Sequence, residues 1–173
     1  TFFFLYQVLI IIKRQIIMPT LNRVKDIFNK VSLQHISIKE FYYGTSFNVA
    51  VSPNTEYPIV FLETPYNINY DDNRRLKNYQ FALLVLFKTK EDDIADNHNA
   101  QSAAEDIGDA ILSKIQNDYK QEILLSGIRA LTLNEFSSDT TGGVRYELTV
   151  SMNREYSIPV CYADQFDADC TDC

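Results

Sequence analysis

The first regular pattern of apolar positions follows Thr20. Apolar residues recur there every three or four positions, which places them on one face of an α-helix. Pro19 and Thr20 are residue types that favour a helix start. The pattern therefore predicts a short N-terminal helix of about three turns. Its apolar positions are Leu21, Val24, Ile27, Phe28 and Val31.

Residues 35–63 carry patterns that are typical of strands. We expect an extended segment to begin at residues 35–38, followed by an aromatic bend at residues 41–44. Apolar side chains alternate through residues 47–51, as in a half-buried strand. Residues 57–63 form a short apolar run bounded by Pro65, so a buried strand is predicted there.

The central part of the chain alternates between polar and apolar segments. Residues 66–77 are polar and are interpreted as an exposed loop or hairpin tip. Residues 78–90 carry apolar side chains at odd and even positions alike, which predicts a strand that is covered on both faces. Residues 91–99 then form an acidic turn.

A long helix is predicted from this turn to about Tyr119. Asn99 is a suitable N-cap, because its side-chain oxygen can accept a hydrogen bond from a free backbone N–H. The apolar positions that follow form one stripe, which predicts packing on a core. The stripe contains Ala100, Ala103, Ala104, Ile107, Ala110, Ile111 and Ile115.

Two further strands are expected to close the domain. The first contains the apolar residues Ile128, Ala130, Leu131 and Leu133, and in the second, apolar residues alternate strictly through residues 144–152. Residues 137–143 between them are interpreted as a flexible hairpin loop. Runs of strands with a helix on one face indicate the α+β class. The sequence therefore predicts a mainly antiparallel β-sheet with one long helix packed on it and a short N-terminal helix.

The two ends of the chain differ from this domain, which we place at residues 18–157. Residues 1–17 contain an apolar run that is shorter than the roughly 20 residues of a membrane-spanning helix. Lys13 and Arg14 follow this run, whereas a signal peptide carries its charges first. We interpret residues 1–17 as an apolar leader upstream of a natural start at Met18. The alternative is a strand or anchor that is used in an assembly.

The C-terminal tail, residues 158–173, is acidic and contains every cysteine of the chain. A structural zinc site needs four ligands, and the tail offers three thiols, so we interpret them as incidental. They are Cys161, Cys170 and Cys173. Tyr162 and Phe166 are candidates for docking the tail on a neighbouring subunit. Because the domain itself has no cysteine, it must fold without disulfides.

No motif in the sequence indicates catalysis, a metal or another cofactor. The two histidines, His35 and His98, belong to different predicted elements, and no nucleophile elbow or phosphate-binding loop is present. A hydrolase whose site assembles only in space would have to use one of these histidines. The acidic turn does not follow the EF-hand pattern. A net charge of −7 disfavours broad nucleic-acid binding.

Several segments together resemble structural proteins of tailed bacteriophages that complete the neck or tail, including those of crAss-like phages of gut Bacteroides. They are His35, residues 41–44, 57–60 and 87–90, and the turn and helix at 93–107, within roughly residues 18–155. One departure lies at residues 99–106, where an Asn-x-x-Glu pattern is expected. The resemblance implies a subunit similar to tail terminators or head–tail connectors. Such a subunit forms a homo-oligomeric ring in the virion, next to portal, connector or tail subunits, with DNA only as passing cargo.

This resemblance makes the polar loops candidates for contacts with neighbouring virion proteins. Arg74, Arg75 and Asp139 lie in these loops and are candidates for ion pairs at a subunit interface. A different class of function remains open, namely a soluble ligand-binding or regulatory domain. Its pocket would be lined by the aromatic residues Phe41, Tyr42, Tyr43 and Tyr57.

Overall fold

The computed structural model describes residues 20–45, 55–72, 75–134 and 140–153. These residues lie in one compact unit, Pro19–Asn153. The structure confirms the α+β class, with one long helix, one short N-terminal helix and a six-stranded sheet. The helices are α1 (Leu21–Leu33) and α2 (Ile94–Asp118), and the strands are β1 (Glu40–Gly44), β2 (Ile59–Glu63), β3 (Asn67–Tyr70), β4 (Leu76–Lys88), β5 (Ile123–Leu133) and β6 (Thr141–Asn153).

The sheet is mainly antiparallel, as predicted. Its strand order is β1-β2-β4-β6-β5, and β3 pairs with β4 beyond the end of β2. Only β1 and β2 pair in parallel among the described strands. The long strands β4 and β6 form the centre and pair from Leu76↔Asn153 to Lys88↔Thr141. Consequently β5 is one edge of the described sheet, and the other edge is formed by β1 and, beyond the end of β2, by β3.

Both helices pack on one face of the sheet, which we call the helix face. Alternate residues of β4 and β6, such as the opposed pair Leu83 and Tyr146, are buried in the same core as Phe28 of α1 and Ile111 of α2. Each large apolar side chain buried in this way contributes roughly 1.5–3 kcal/mol relative to an exposed one. The apolar stripe of each helix is therefore what fixes its position on the sheet.

The opposite face of the sheet, which we call the second face, carries a smaller apolar cluster. Its fully buried members are Ile59, Phe61, Ala82, Leu84 and Leu86. Strand β4 thus has buried side chains on both faces, as its sequence pattern predicts. Next to this cluster, Arg145 Nη2 lies 2.9 Å from Glu63 Oε2, and the same guanidinium also pairs with Glu147.

The N-cap of α2 is Asp93, so the prediction that Asn99 caps this helix is wrong. The Asp93 carboxylate accepts a hydrogen bond from the Asp96 backbone N–H at 3.0 Å. Asp96 in turn accepts one from the Lys90 N–H at 2.8 Å. These two bonds hold the start of the helix, and the acidic turn is correspondingly shorter than predicted. The stripe prediction also included Ala110, which is exposed in the structure.

Several other local predictions need correction. Residues 41–44 belong to strand β1 and do not form a bend, because they pair with β2. Residues 35–38 form turns after α1, in which Ile38 N–H donates to the His35 carbonyl. The expected loop at residues 66–77 contains strand β3, and β5 begins before the predicted residue 128. The expected strand at residues 47–51 lies outside the described residues.

Candidate functional site

The predicted interface residues are only partly covered by the structure. Arg75 is exposed at the start of β4, next to a turn that Asp71 closes by accepting a hydrogen bond from the Leu76 N–H at 2.8 Å. Arg74, Asp139, Tyr162 and Phe166 lie outside the described residues, as do the three cysteines. The structure therefore leaves the predicted ion pairs of the loops without a test.

Strand β5 is an edge of the described sheet and carries a long exposed stretch. This strand pairs with β6 on one side, and no other described strand pairs with its outer side. Residues 126–130 are exposed on both faces of the sheet. Two large apolar residues of β5 are exposed to solvent, Leu124 with 54% and Ile128 with 47% of its surface accessible. An edge strand of this kind offers backbone N–H and C=O groups to a further strand.

A β-bulge divides β5 into two short segments. Ser126 pairs with Thr149 and Arg129 with Glu147, so β5 has one more residue than β6 between these pairs. Gly127 has a φ of +60°, a backbone conformation that residues with a Cβ atom rarely adopt. The bulge leaves Ile128 on the side of α2 and Arg129 on the second face.

Helix α2 flanks β5 and gives this edge a negative charge. Its exposed carboxylates include Glu105, Asp106 and Asp109. Burial raises the pKa of the Tyr146 phenol, and the charges of Asp109, Glu105 and Asp106 raise it further. The Tyr146 hydroxyl donates to the Glu105 carbonyl at 2.9 Å and lies 3.2 Å from Asp109 Oδ1. This hydroxyl therefore anchors the acidic part of the helix to the sheet.

A shallow depression of about 320 Å³ separates α2 from β5. It is open to solvent and combines polar side chains of α2 with the exposed side chain of Ile128. We call the combined area the β5–α2 surface. It is formed by Asp109, Leu112, Ser113, Gln116, Asn117 and Ile128, together with Glu105 and Arg129 at its borders.

The opposite edge of the sheet consists of β1 and the adjacent side of α1. Lys25 of α1 extends over β1, where its Nζ lies 5.8 Å from the centroid of the Tyr43 ring. On the second face, the Tyr42 hydroxyl donates to the Glu40 carboxylate, and the Tyr42 side chain is 37% exposed. We call this area the α1–β1 surface. It is formed by Lys25, Lys39, Glu40, Tyr42 and Tyr43.

The four aromatic residues of the predicted ligand pocket do not line one cavity. Phe41 and Tyr43 pack against the core of the helix face, whereas Tyr57 packs against the cluster of the second face. Tyr42 points to the second face as well, since it pairs with Phe61 across the strands. The sheet therefore separates these side chains into two groups.

The two histidines lie in different parts of the fold, as the sequence predicts. His35 lies in the turn after α1, where its Nδ1 accepts from the Ser37 N–H at 3.3 Å, and His98 is exposed in α2. Within the described ranges, no three His, Cys, Asp or Glu side chains are grouped as metal ligands would be. Neither described helix is long and apolar enough to cross a membrane.

Comparison with known proteins does not assign the chain to a family. No protein-family model matches the chain, and no curated protein matches it either.

Proposed function

We propose that this chain is a virion structural protein of a tailed bacteriophage that forms a homo-oligomeric ring in the neck or tail. Its role would be head–tail joining or tail termination. The residue patterns that resemble neck and tail completion proteins support this proposal. The small α+β domain, with both helices on one face of an antiparallel sheet, is the kind of subunit that this resemblance implies.

The observation that carries the proposal is the exposed edge at β5. The strand has eleven residues, and its middle is exposed on both faces. The other end of the described sheet is a second edge, β1, that differs from β5 in length, direction and charge. Two different edges that no other described strand pairs with favour head-to-tail contacts, and such contacts produce a ring when the rotation between subunits closes.

The charge of the chain is compatible with a ring around DNA. With a net charge of −7, the subunit repels the phosphate backbone, so DNA could pass through the opening without being held. The turn between β3 and β4, which carries the exposed Arg75, is a candidate contact with a portal, connector or tail protein above or below the ring.

The proposal is tested by the mass and shape of the purified full chain. Light scattering over a wide range of concentrations gives the number of subunits, and negative-stain electron microscopy shows whether they enclose an opening. We expect a closed oligomer, with six or twelve copies as the numbers that suit a phage neck or tail. A monomer at every concentration, or an open filament, would count against the ring.

A further inference from the structure

We propose that the ring forms by continuation of the sheet, with the α1–β1 surface of one copy docked on the β5–α2 surface of the next. This inference rests on the proposed function, because it names the two surfaces that meet in the ring. The partner is a second copy of this chain. The charge pattern of the two edges identifies it.

The helix side of the two edges carries opposite charges. If β1 of one copy lies beside β5 of its neighbour with the helices on the same side, α1 of the first adjoins α2 of the second. Lys25 extends over β1 at the outer edge of α1. On α2, Asp109 lines the depression beside Ile128 of β5. Glu105 lies one turn before Asp109 and one turn after Gln101, whose side chain donates to the Leu133 carbonyl of β5. The amine of one copy then faces the carboxylates of the other.

The second face shows the same complementarity with the signs exchanged. Glu40 of β1 lies on this face, because it pairs with Ile59 of the second-face cluster. Arg129 of β5 lies on it too, opposite Glu147. Continuation of the sheet therefore brings Glu40 of one copy towards Arg129 of the next. Opposite charges on both sides of the same strand pair favour this neighbour over a copy that is turned around.

The shapes of the edges fit the same arrangement. The half-buried ring of Tyr43 is on the helix side of β1, and the depression between α2 and Ile128 is on the helix side of β5. Docking would place an aromatic side chain beside an exposed apolar one at the centre of the contact. Aromatic residues are enriched at such centres because they bury a large area with little loss of conformational freedom.

Charge exchange in the full chain tests this pairing. The first variant, Glu105→Lys with Arg129→Glu, reverses one charge on each face of the β5–α2 surface and leaves Asp109, which lies against the Tyr146 hydroxyl, in place. The second, Lys25→Glu with Glu40→Lys, reverses those of the α1–β1 surface. Neither changes the net charge. A matched control, Asp26→Lys with Lys30→Glu, exchanges two exposed charges elsewhere on α1.

Each of the two interface variants should lose the oligomer and show the 20.0 kDa mass of a single chain, while the control keeps the wild-type mass. An equimolar mixture of the two variants should restore the oligomer. When the two variants alternate around the ring, the unchanged α1–β1 surface of the first docks on the unchanged β5–α2 surface of the second. The substituted α1–β1 surface of the second then docks on the substituted β5–α2 surface of the first. Circular dichroism verifies that each variant is folded, and the chain with all four substitutions gives a second test of rescue.

The outcomes separate this inference from the proposed function. If the wild-type chain is a closed oligomer and both variants keep its mass, the two surfaces do not meet, although the ring proposal stands. If the variants dissociate but neither the mixture nor the fourfold variant reassembles, the surfaces do not face each other. A wild-type chain that is monomeric throughout contradicts the ring and the pairing together.

Discussion

Gly108 of α2 lies directly against the ring of Tyr146 on β6. A Cβ atom on residue 108 would stand 2.6 Å from Tyr146 Cζ and 2.7 Å from the hydroxyl oxygen, closer than real Cβ atoms approach other atoms. The absence of a side chain at residue 108 thus allows the phenol to pass under the helix and reach the Glu105 carbonyl. This contact fixes both the height and the rotation of α2 over the sheet.

Gly108→Ala should therefore destabilise the domain. At an open helical position the same change would add about 1 kcal/mol of stability. Here overpacking costs about 1–3 kcal/mol, since the ring of Tyr146 is enclosed in the core. Urea unfolding measures the net change. In a Tyr146→Leu background the sign should reverse, because the clashing atoms are gone, and the same loss in both backgrounds would refute the contact.

Tyr146→Phe should lower the free energy of unfolding by about 1–1.5 kcal/mol at neutral pH, because a buried hydrogen bond is lost. It should also flatten the alkaline dependence of stability. The pKa of Tyr146 is raised above the ordinary value of 10.0, so above that pH the unfolded state releases a proton that the folded state keeps.

The sign of this pH effect follows from that difference. The contribution of the neutral Tyr146 to stability is fully present below about pH 10 and falls as the pH rises further, by up to about 1.4 kcal/mol per pH unit. Unfolding by urea between pH 9 and 11 should therefore show a steeper loss for the wild-type chain than for Tyr146→Phe. Parallel curves would mean that the phenol ionises freely in the folded state.

Arg145→Ala should lower the free energy of unfolding of the domain by about 1–3 kcal/mol, because it leaves the partly buried carboxylates of Glu63 and Glu147 without their partner. The side chains of Arg145 and Glu63 are 22% and 15% exposed. Lys114→Ala is the matched control, since it removes an ion pair with Asp118 whose side chains are nearly half exposed. Lys114→Ala should change the free energy of unfolding by no more than about 0.5 kcal/mol, as measured by urea unfolding of both variants. Equal losses would show that the Arg145 pairs act as ordinary surface pairs.

Asp93→Ala should cost about 1 kcal/mol, because the N-cap bond to the Asp96 N–H is lost. Asn99→Ala should leave stability unchanged or raise it slightly, since residue 99 lies exposed within the helix and alanine is the best helix former. Thermal unfolding followed by circular dichroism compares the two. A larger loss for Asn99→Ala would place the start of α2 where the sequence pattern predicts it.

The sequence was informative where the pattern is local. The two-sided apolar run of β4 and the stripes of both helices reveal their burial, because neighbouring residues decide it. The prediction for the start of α2 is wrong because Asp93 and Asn99 are both capping residue types, and the turn in which Lys90 N–H donates to Asp96 selects between them. Strand β1 was missed because its partner β2 is separated from it in the chain, and an aromatic run before Gly44 looks like a bend.

The candidate surfaces were harder to predict. Ile128 has the apolar character of a core residue, and its exposure depends on β5 being the last strand of the described sheet. Lys25 and Glu105 look like ordinary exposed charges in the sequence. Their relation to opposite edges appears only when the strand order is known. The loops that the sequence favoured as interfaces carry the exposed Arg75, while the exposed edge strand gave no distinct local signal.

The bulge at Gly127 has a consequence for newly made copies of the chain. A regular edge of eleven residues could recruit almost any extended segment, including those of unfolded chains in a crowded cell. The out-of-register step between Ser126 and Arg129 interrupts that template, so an incoming strand must match two short stretches and the step between them. The bulge therefore makes pairing with an arbitrary extended segment less favourable than it would be at a regular edge strand.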